Sequence, residues 1–444
     1  MKIAILSPAG AMHRYNGSFG KSLHYAPVTL PFLAALVPQE LDAEVEIYDE
    51  TIQPIPADLE ADLIGIVTIT GTAPRAYKWA AYFRKKGATV VLGGPHVTLL
   101  PEEASQHADS IVIGIADHTW PKLLVDFKNN NLQKCYSPES PYTILAGRPI
   151  PKRELYPKNK FITVNSVEAT KGCSNDCVFC AVNALYKQRV IPRPIPEVIA
   201  EIEQMPGKDV VFVDPNLVAD LEYARKFFAE MAPLKKWWFG LATADIVNSP
   251  ELIALMGKSG CKGLLIGFES ISDRSLGAMN KKHNKNVDYT LLMNRLHEHD
   301  IAVNGTFCFG TDEDDKSVFE KTVERIIKLK VDLPRFSVLT PFPGTLLYNE
   351  LNSANRIIDR DWAMYDVEHC VHQPLKMTPE ELDEGLAWAW EEVYSASSIA
   401  QRIARLHLLW PVNLVTNLGY RSYAQKLRGF TRNVMVDNSD IPNV

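Results

Sequence analysis

Apolar and polar positions along the first 130 residues fall into two alternating patterns. Short Val/Ile-rich runs, KIAILSP (2–8), EVEIYDE (44–50), DLIGIVTIT (62–70), TVVLGGP (89–95) and DSIVIG (109–114), end on turn residues and predict strands. Between them lie segments of helix length, such as PRAYKWAAYFRKKG (74–87), whose basic residues gather at the C-terminal end where the helix dipole favours them. Strands alternating with helices predict βαβ units and a parallel sheet covered on both faces. Ligands of such sheets bind beyond the carboxyl ends of the strands, which here carry SPAG (7–10), TITGT (68–72) and GGPH (93–96).

A polar, Pro-rich passage over 129–160 interrupts this pattern and reads as a linker. The alternation restarts at 161. ITVNSVEAT (162–170), DVVFVDPN (209–216), WWFGLATAD (237–245), GLLIGFES (263–270), AVNGTFCFG (302–310) and RFSVLTPFP (335–343) predict six more strands, each separated by room for a helix. Six consecutive βα units suit an open, partial TIM-type barrel, with functional groups on the loops after the strands. After about 351 the pattern turns helical; 377–410 is the longest run, and Thr378 with Glu381 forms a candidate capping box. The expected division is a Rossmann-like parallel-sheet domain (1–135), a linker (136–160), a (β/α)6 partial barrel (161–350) and a helical C-terminal region (351–444).

Composition narrows the class without naming a chemistry. The chain has 444 residues, 46% hydrophobic and 23% charged, which is globular. Its net charge of −6 argues against a dedicated nucleic-acid binder. No stretch reaches the ~18 apolar residues that span a bilayer, and the opening MKIAILSPAGAMHRYNG reads as a strand rather than a signal peptide. The apolar segment LHLLWPVNLVTNLGY (406–420) is expected to pack on a core, with peripheral contact to a membrane surface as the other option. Seven cysteines, sparse and odd in number, indicate a reducing, cytoplasmic setting.

Three of those cysteines carry chemistry. KGCSNDCVFC places Cys173, Cys177 and Cys180 in a CxxxCxxC array on the loop after the first strand of the second half. Thiolates suit Fe–S clusters and zinc. A [4Fe–4S] cluster held by three cysteines leaves one iron open, while zinc needs a fourth ligand and Cys135, Cys261, Cys308 and Cys370 stand isolated. A zinc-stabilised binding protein remains the non-enzymatic alternative. His13, His96 and His118 fall on expected loops at the ligand edge of the first sheet, and Trp237 with Trp238 is expected to pack the barrel.

The array, with Phe179 as its aromatic member, resembles the cluster loop of the radical S-adenosylmethionine (SAM) superfamily, and the resemblance extends over the six strands of 161–343. It implies a [4Fe–4S] cluster on Cys173, Cys177 and Cys180 whose open iron chelates SAM and cleaves it to a 5′-deoxyadenosyl radical. Asp214 and Asn216 in FVDPN, Glu269 and Ser270 in GFES, and Gly310 in NGTFCFGTD match strand ends that approach SAM in that superfamily; LTPFPGT (339–345) resembles a strand-six turn of its cobalamin-type members.

The first half resembles the cobalamin-binding domain of the class B members, chiefly through VVLGGPHVTLLPEEA (90–104). That implies cobalamin contacts from Thr68, Thr70, Thr72, Gly93, Gly94, Pro95 and His96, the glycines letting backbone approach a flat ligand. No DxHxxG is present, and GIADHTW (114–120) replaces an acidic turn common in relatives. The implied reaction is methyl transfer to an unactivated carbon of a small-molecule or lipid-like substrate, two SAM per turnover, with a flavodoxin- or ferredoxin-type electron donor. A non-methylating radical outcome such as cyclisation, rearrangement or carbon–carbon coupling is the alternative.

Overall fold

The computed structural model describes residues 1–10, 24–140, 142–404, 410–431 and 441–442, so His13 and residues 406–409 lie outside the described residues. The first sheet is built from β1 (Lys2–Ser7), β2 (Glu44–Asp49), β3 (Leu63–Val67), β4 (Thr89–Gly93), β5 (Ser110–Val112) and β6 (Cys135–Tyr136). All pairs are parallel, in the order β2-β1-β3-β4-β5-β6. The chain reverses its direction across the sheet between β1 and β3, which makes their carboxyl ends the switch point where ligands bind in doubly wound folds. The central strands are apolar on both faces because each face has its own core. Ile3 and Ile5 pack with Leu30, Leu63 and Trp120 on one side; Ala4 and Leu6 pack with Ile64, Trp79 and Phe83 on the other, where Ile441 also lies.

The Pro-rich passage is not a free tether. Its first residues add β6 to the sheet, and Tyr156 and Phe161 enter the first core. Proline-rich chain needs few ladder partners, so this segment runs extended over the surface and spends its side chains on packing.

The chain then passes through β7 (Ser166–Val167) and an antiparallel ribbon of β8 (Thr170–Gly172) with β9 (Val190–Pro192). β10 (Asp209–Phe212), β11 (Trp237–Ala242), β12 (Cys261–Glu269), β13 (Ala302–Phe309) and β14 (Arg335–Val338) follow. Strands β7 and β10 to β14 lie side by side in chain order and all parallel, an open barrel of six strands. The strand expected over 162–170 is shorter than its apolar pattern implied. Asp214, just past β10, accepts the N–H groups of Ala169 and Thr170 and the Thr170 hydroxyl, and so draws the chain out of the barrel ladder.

The C-terminal helices 379–393, 396–403 and 410–431 share one core with the barrel: Trp390 meets Phe336 edge-on at 5.6 Å, and Tyr420 and Leu427 join it. The Thr378–Glu381 capping box forms as expected. The expected run 377–410 is broken because Ser395 caps a new helix, accepting from the Ser398 N–H. The first turns of helix 410–431 invert the usual pattern, before Tyr420 and Leu427 restore it. Asn413 and Asn417 are buried, bonded to Asp332 and Arg402, while Val412, Val415 and Leu418 face outward. No described helix is long and apolar enough to cross a membrane. Residues 362–372 lie over the barrel mouth, where the Val367 carbonyl accepts from Val338 N–H and His372 Nε2 pairs with the Gly310 carbonyl at 3.0 Å.

Candidate functional site

The cysteine loop is clamped from two sides. Val178 N–H donates to the Met279 carbonyl, the Asn280 amide to the Asp176 carbonyl, and Leu347 N–H to the Val178 carbonyl. Phe179 packs among Leu276, Met279, Cys308, Leu339 and Leu347, an apolar plug beneath the loop. Amide groups of Asn175 and Asn216 approach the Cys173 sulfur at 3.5 and 3.8 Å. Burial pushes the Cys177 thiol up to about 12, Lys281 opposing, with Cys180, Glu269 and Cys173 adding to the rise. Burial raises Cys180 as well. With Cys177 and Cys180 both raised, a bound cation group is what would draw them to thiolates, and an iron cluster supplies one. Among the described residues, no three His, Cys, Asp or Glu side chains converge to seat a single metal ion. A cluster gives each sulfur its own iron and needs no such convergence, so this donor set fits a cluster better than zinc.

The barrel strand ends surround this loop. Glu269 closes β12 in the left-handed region (φ 59°), beside a register shift between Gly267 and Glu269. Strain of that kind persists where surrounding structure enforces it. The Asn284 amide holds the Gly267 and Phe268 carbonyls at 2.8 and 3.0 Å, and the side chain is tied by a buried ion pair in which Lys281 Nζ donates to Glu269 Oε1 at 2.7 Å. Burial works against the Lys281 ammonium, yet Glu269 and the Cys177 sulfur hold its pKa above the ordinary lysine value. Ser270 is buried and accepts from Ser272 N–H. Gly310 has φ +104°, and a Cβ there would lie 2.7 Å from Leu382. Asp214 is fully buried; burial, with Glu168 adding, lifts its pKa to about 7. Its oxygens are occupied by the backbone leading into the cysteine loop, so its evident work is to position that loop.

A cavity of about 830 Å³ lies between the two halves. That is near the upper end of the ~300–1,000 Å³ typical for drug-sized ligands and suits a large one. Val67, Ile69, Gly93, Gly94 and Pro95 from the first sheet line it, as do Glu168, Lys171 and Tyr186 beside the cysteine loop. Ile69 is 51% exposed, an apolar group presented at the switch-point edge. The short helix 95–99 packs against helix 181–186, which begins after Cys180, and Leu99 would meet any Cβ added at Gly344 in the strand-six turn at 2.8 Å. The glycine turn and the cysteine loop are therefore neighbours.

Of the described residues proposed for cobalamin in the first sheet, Gly93, Gly94 and Pro95 line this cavity. Thr68, Thr70, Thr72 and His96 are buried behind it. Thr72 closes the turn on Ile69, and His96 joins Tyr77 (3.1 Å), Glu103 (3.3 Å) and Thr70 (3.4 Å), burial lowering its pKa so that it stays neutral. Gly94 is required for a different reason from ligand approach: its φ is +109°, and a Cβ would sit 2.7 Å from the Thr68 carbonyl oxygen. His118 is exposed and stacks on Tyr142 (5.6 Å); Trp238 is buried, stacked on Phe228 (5.1 Å), and Trp237 is 37% exposed. Sequence reading missed Lys281, Asn175, Glu168 and Arg148. Only the Glu168–Lys171 spacing, flanking the start of the cysteine loop, offered a signal.

Comparison with known proteins places both halves. Residues 27–124 match the model of the B12 binding domain, and residues 167–326 that of the Radical SAM superfamily. Bacteriochlorophyllide d C-12(1)-methyltransferase of Chlorobaculum tepidum is 32% identical over 404 residues, covering 88% of each chain. The C-8(2)-methyltransferase of the same organism is 29% identical over 431 residues, 91% of this chain and 94% of that one. Among solved structures, the radical SAM methyltransferase TsrM from Kitasatospora setae, with cobalamin and a [4Fe–4S] cluster bound, superposes with a TM-score of 0.69. Its identity is 14%, over 97% of this chain and 100% of that one, a likeness of fold.

Proposed function

The chain belongs to the cobalamin-dependent radical SAM enzymes, whose cofactors are a [4Fe–4S] cluster, SAM and cobalamin, and from that premise we propose that it methylates an unactivated carbon of an apolar small molecule. The observation that carries this is the single cavity lined at once by the glycine turn of the first sheet and by the segment entering the cysteine loop. When bound, the cofactors supply a hydrogen-abstracting radical and a transferable methyl group.

The chain's own residues prepare that chemistry. Cys173, Cys177 and Cys180 would hold three irons, and the Asn175 and Asn216 amides would donate to the Cys173 sulfur, tuning the cluster. Lys281 offsets the thiolate charge while Glu269 fixes the lysine. Phe179 and its apolar neighbours exclude water from the loop. Asn216, Glu269, Ser270 and the Gly310 backbone, at the ends of β10, β12 and β13, are proposed to face SAM, with Asp214 setting the loop behind them. Gly93, Gly94 and Pro95 are proposed to face the corrinoid.

An apolar substrate is supported by the exposed Ile69 at the cavity and by exposed Leu346, which adjoins the Leu347 contact to the cysteine loop. Relatives that act on bacteriochlorophyllide d make a tetrapyrrole the first substrate to try. A flavodoxin- or ferredoxin-type electron donor and a cytoplasmic setting are part of the same proposal. The test is anaerobic reconstitution with iron, sulfide and hydroxocobalamin, then methyl-labelled SAM with a chlorin. About four irons and one retained corrinoid per chain, with label in the product, are expected. Iron without corrinoid, or SAM consumed with no label transferred, overturns the proposal.

A further inference from the structure

We propose that Arg148 is a positioning residue that holds the first sheet's cofactor edge and the cysteine loop at a set distance and orientation. The inference rests on the reading above, that the two halves carry the corrinoid and the cluster. Arg148 comes from the Pro-rich passage, and its side chain is 5% exposed. Nε and Nη2 donate to the two oxygens of Asp117 at 2.6 and 2.9 Å, and Nη1 donates to Glu168 at 2.8 Å. The guanidinium also lies over the Phe32 ring, 4.7 Å from its centre.

The partners come from opposite halves. Asp117 sits in the GIADHTW turn after β5, on the first sheet. Glu168 directly follows β7, five residues before Cys173, and its second oxygen accepts from Lys171 at 2.7 Å. Two carboxylates and two cations close a buried network with no charge left over. All four side chains line the cavity between the halves.

The chemistry of the fork is what makes this a positioning device. A bidentate guanidinium–carboxylate pair fixes direction as well as separation, and a third N–H sent to another carboxylate fixes both partners to one plane. Breaking one member of a buried pair leaves an uncompensated charge, so the arrangement tolerates little drift. Trp362 with Glu103 and Ala26 with Thr163 also join the halves, but neither contact pairs opposite charges. The GIADHTW turn thus spends its one acid, Asp117, on the clamp.

The test uses the full chain with R148Q, R148K and D117N, and needs no substrate. Hydrogen exchange on the unloaded protein is read first: R148Q is expected to speed exchange about tenfold in both 114–118 and 168–173, with other segments unchanged. On reconstituted protein, reductive SAM cleavage to 5′-deoxyadenosine, which needs only the barrel, is expected to stay within about twofold. Methyl transfer from SAM to added cob(I)alamin, releasing S-adenosylhomocysteine, needs both halves in register and is expected to fall by about tenfold or more. R148K, which keeps the charge and loses the fork, recovers part of the transfer. Both reactions falling together with the iron content would mean mere destabilisation, and unchanged transfer would mean no positioning; either overturns the inference. Should R148Q fail to fold, D117N, which keeps the Glu168 bond, is read the same way. If the wild-type chain neither retains nor methylates a corrinoid, the proposed function fails, and exchange at the two turns alone decides whether Arg148 clamps them.

Discussion

The two halves build their candidate sites by opposite means. Around the cysteine loop, side chains with distinctive chemistry converge: three thiols, a buried lysine–glutamate pair and two amides directed at a sulfur. At the first sheet, distinctive side chains retreat. Thr68, Thr70, Thr72 and His96 are buried behind the cavity, whose wall there includes a glycine turn, a proline and apolar groups such as Val67 and Ile69, with Ser7, Asp49 and Asp117 at its polar places. A site that must ligate metal is made of particular atoms; a site that must seat a large flat body is made of backbone shape. Substitutions should therefore separate the two.

The sharpest break is C177A. It is expected to abolish iron retention and SAM cleavage while leaving corrinoid retention intact, as read by iron assay and absorbance on the same preparation. Loss of corrinoid as well would show that the halves do not bind independently. G94A attacks the other site through its backbone. A residue forced to φ +109° with a Cβ 2.7 Å from the Thr68 carbonyl is expected to cost about 1–3 kcal/mol, seen as a lowered Tm, and to lose corrinoid while iron stays.

A smaller effect tests the support beneath the cysteine loop. Asp214 has a folded pKa near 7, above the usual carboxylate value, so the native state holds its proton more tightly than the unfolded chain does. That contribution to stability is fully present below about pH 4 and is lost as pH rises through about 7. D214N is expected to flatten this part of the curve, shrinking the fall in Tm between about pH 5 and pH 8. An unchanged slope would remove Asp214 from the account. Least of all is H96Q, expected to lower stability by about 1 kcal/mol and to leave corrinoid retention untouched. Corrinoid lost at unchanged Tm would return His96 to the binding surface.

What was legible in the chain follows the same division. Strand positions, the parallel character of both sheets and the capping box at Thr378 were legible because apolar periodicity and local capping are short-range signals. The cysteine array was legible because ligand spacing is written in consecutive residues. Lys281 and Arg148 were not, since each acts on partners brought near only by the fold: Glu269 lies 12 residues before Lys281, and Asp117 31 residues before Arg148. Thr68, Thr70 and Thr72 drew notice as hydroxyls at a strand end, which serve a ligand or their own turn equally well; the fold buries all three, ties Thr72 to Ile69 and Thr70 to His96, and gives the Thr68 hydroxyl no partner among the described residues.

Ile441 bears on how the molecule is made. It occupies one of the first sheet's two cores, beside Leu6 and Trp79, and the barrel core runs from Val167 to Leu427. A ribosome delivers these strands in order, and the face carrying Ile3 and Ile5 has all its core members by Phe161, yet the other face waits for Ile441 and the barrel core for Leu427. Contacts so distant in sequence close slowly. Two of the three main interiors of the nascent enzyme therefore stay open until Leu427 and Ile441 arrive, long after the first has closed.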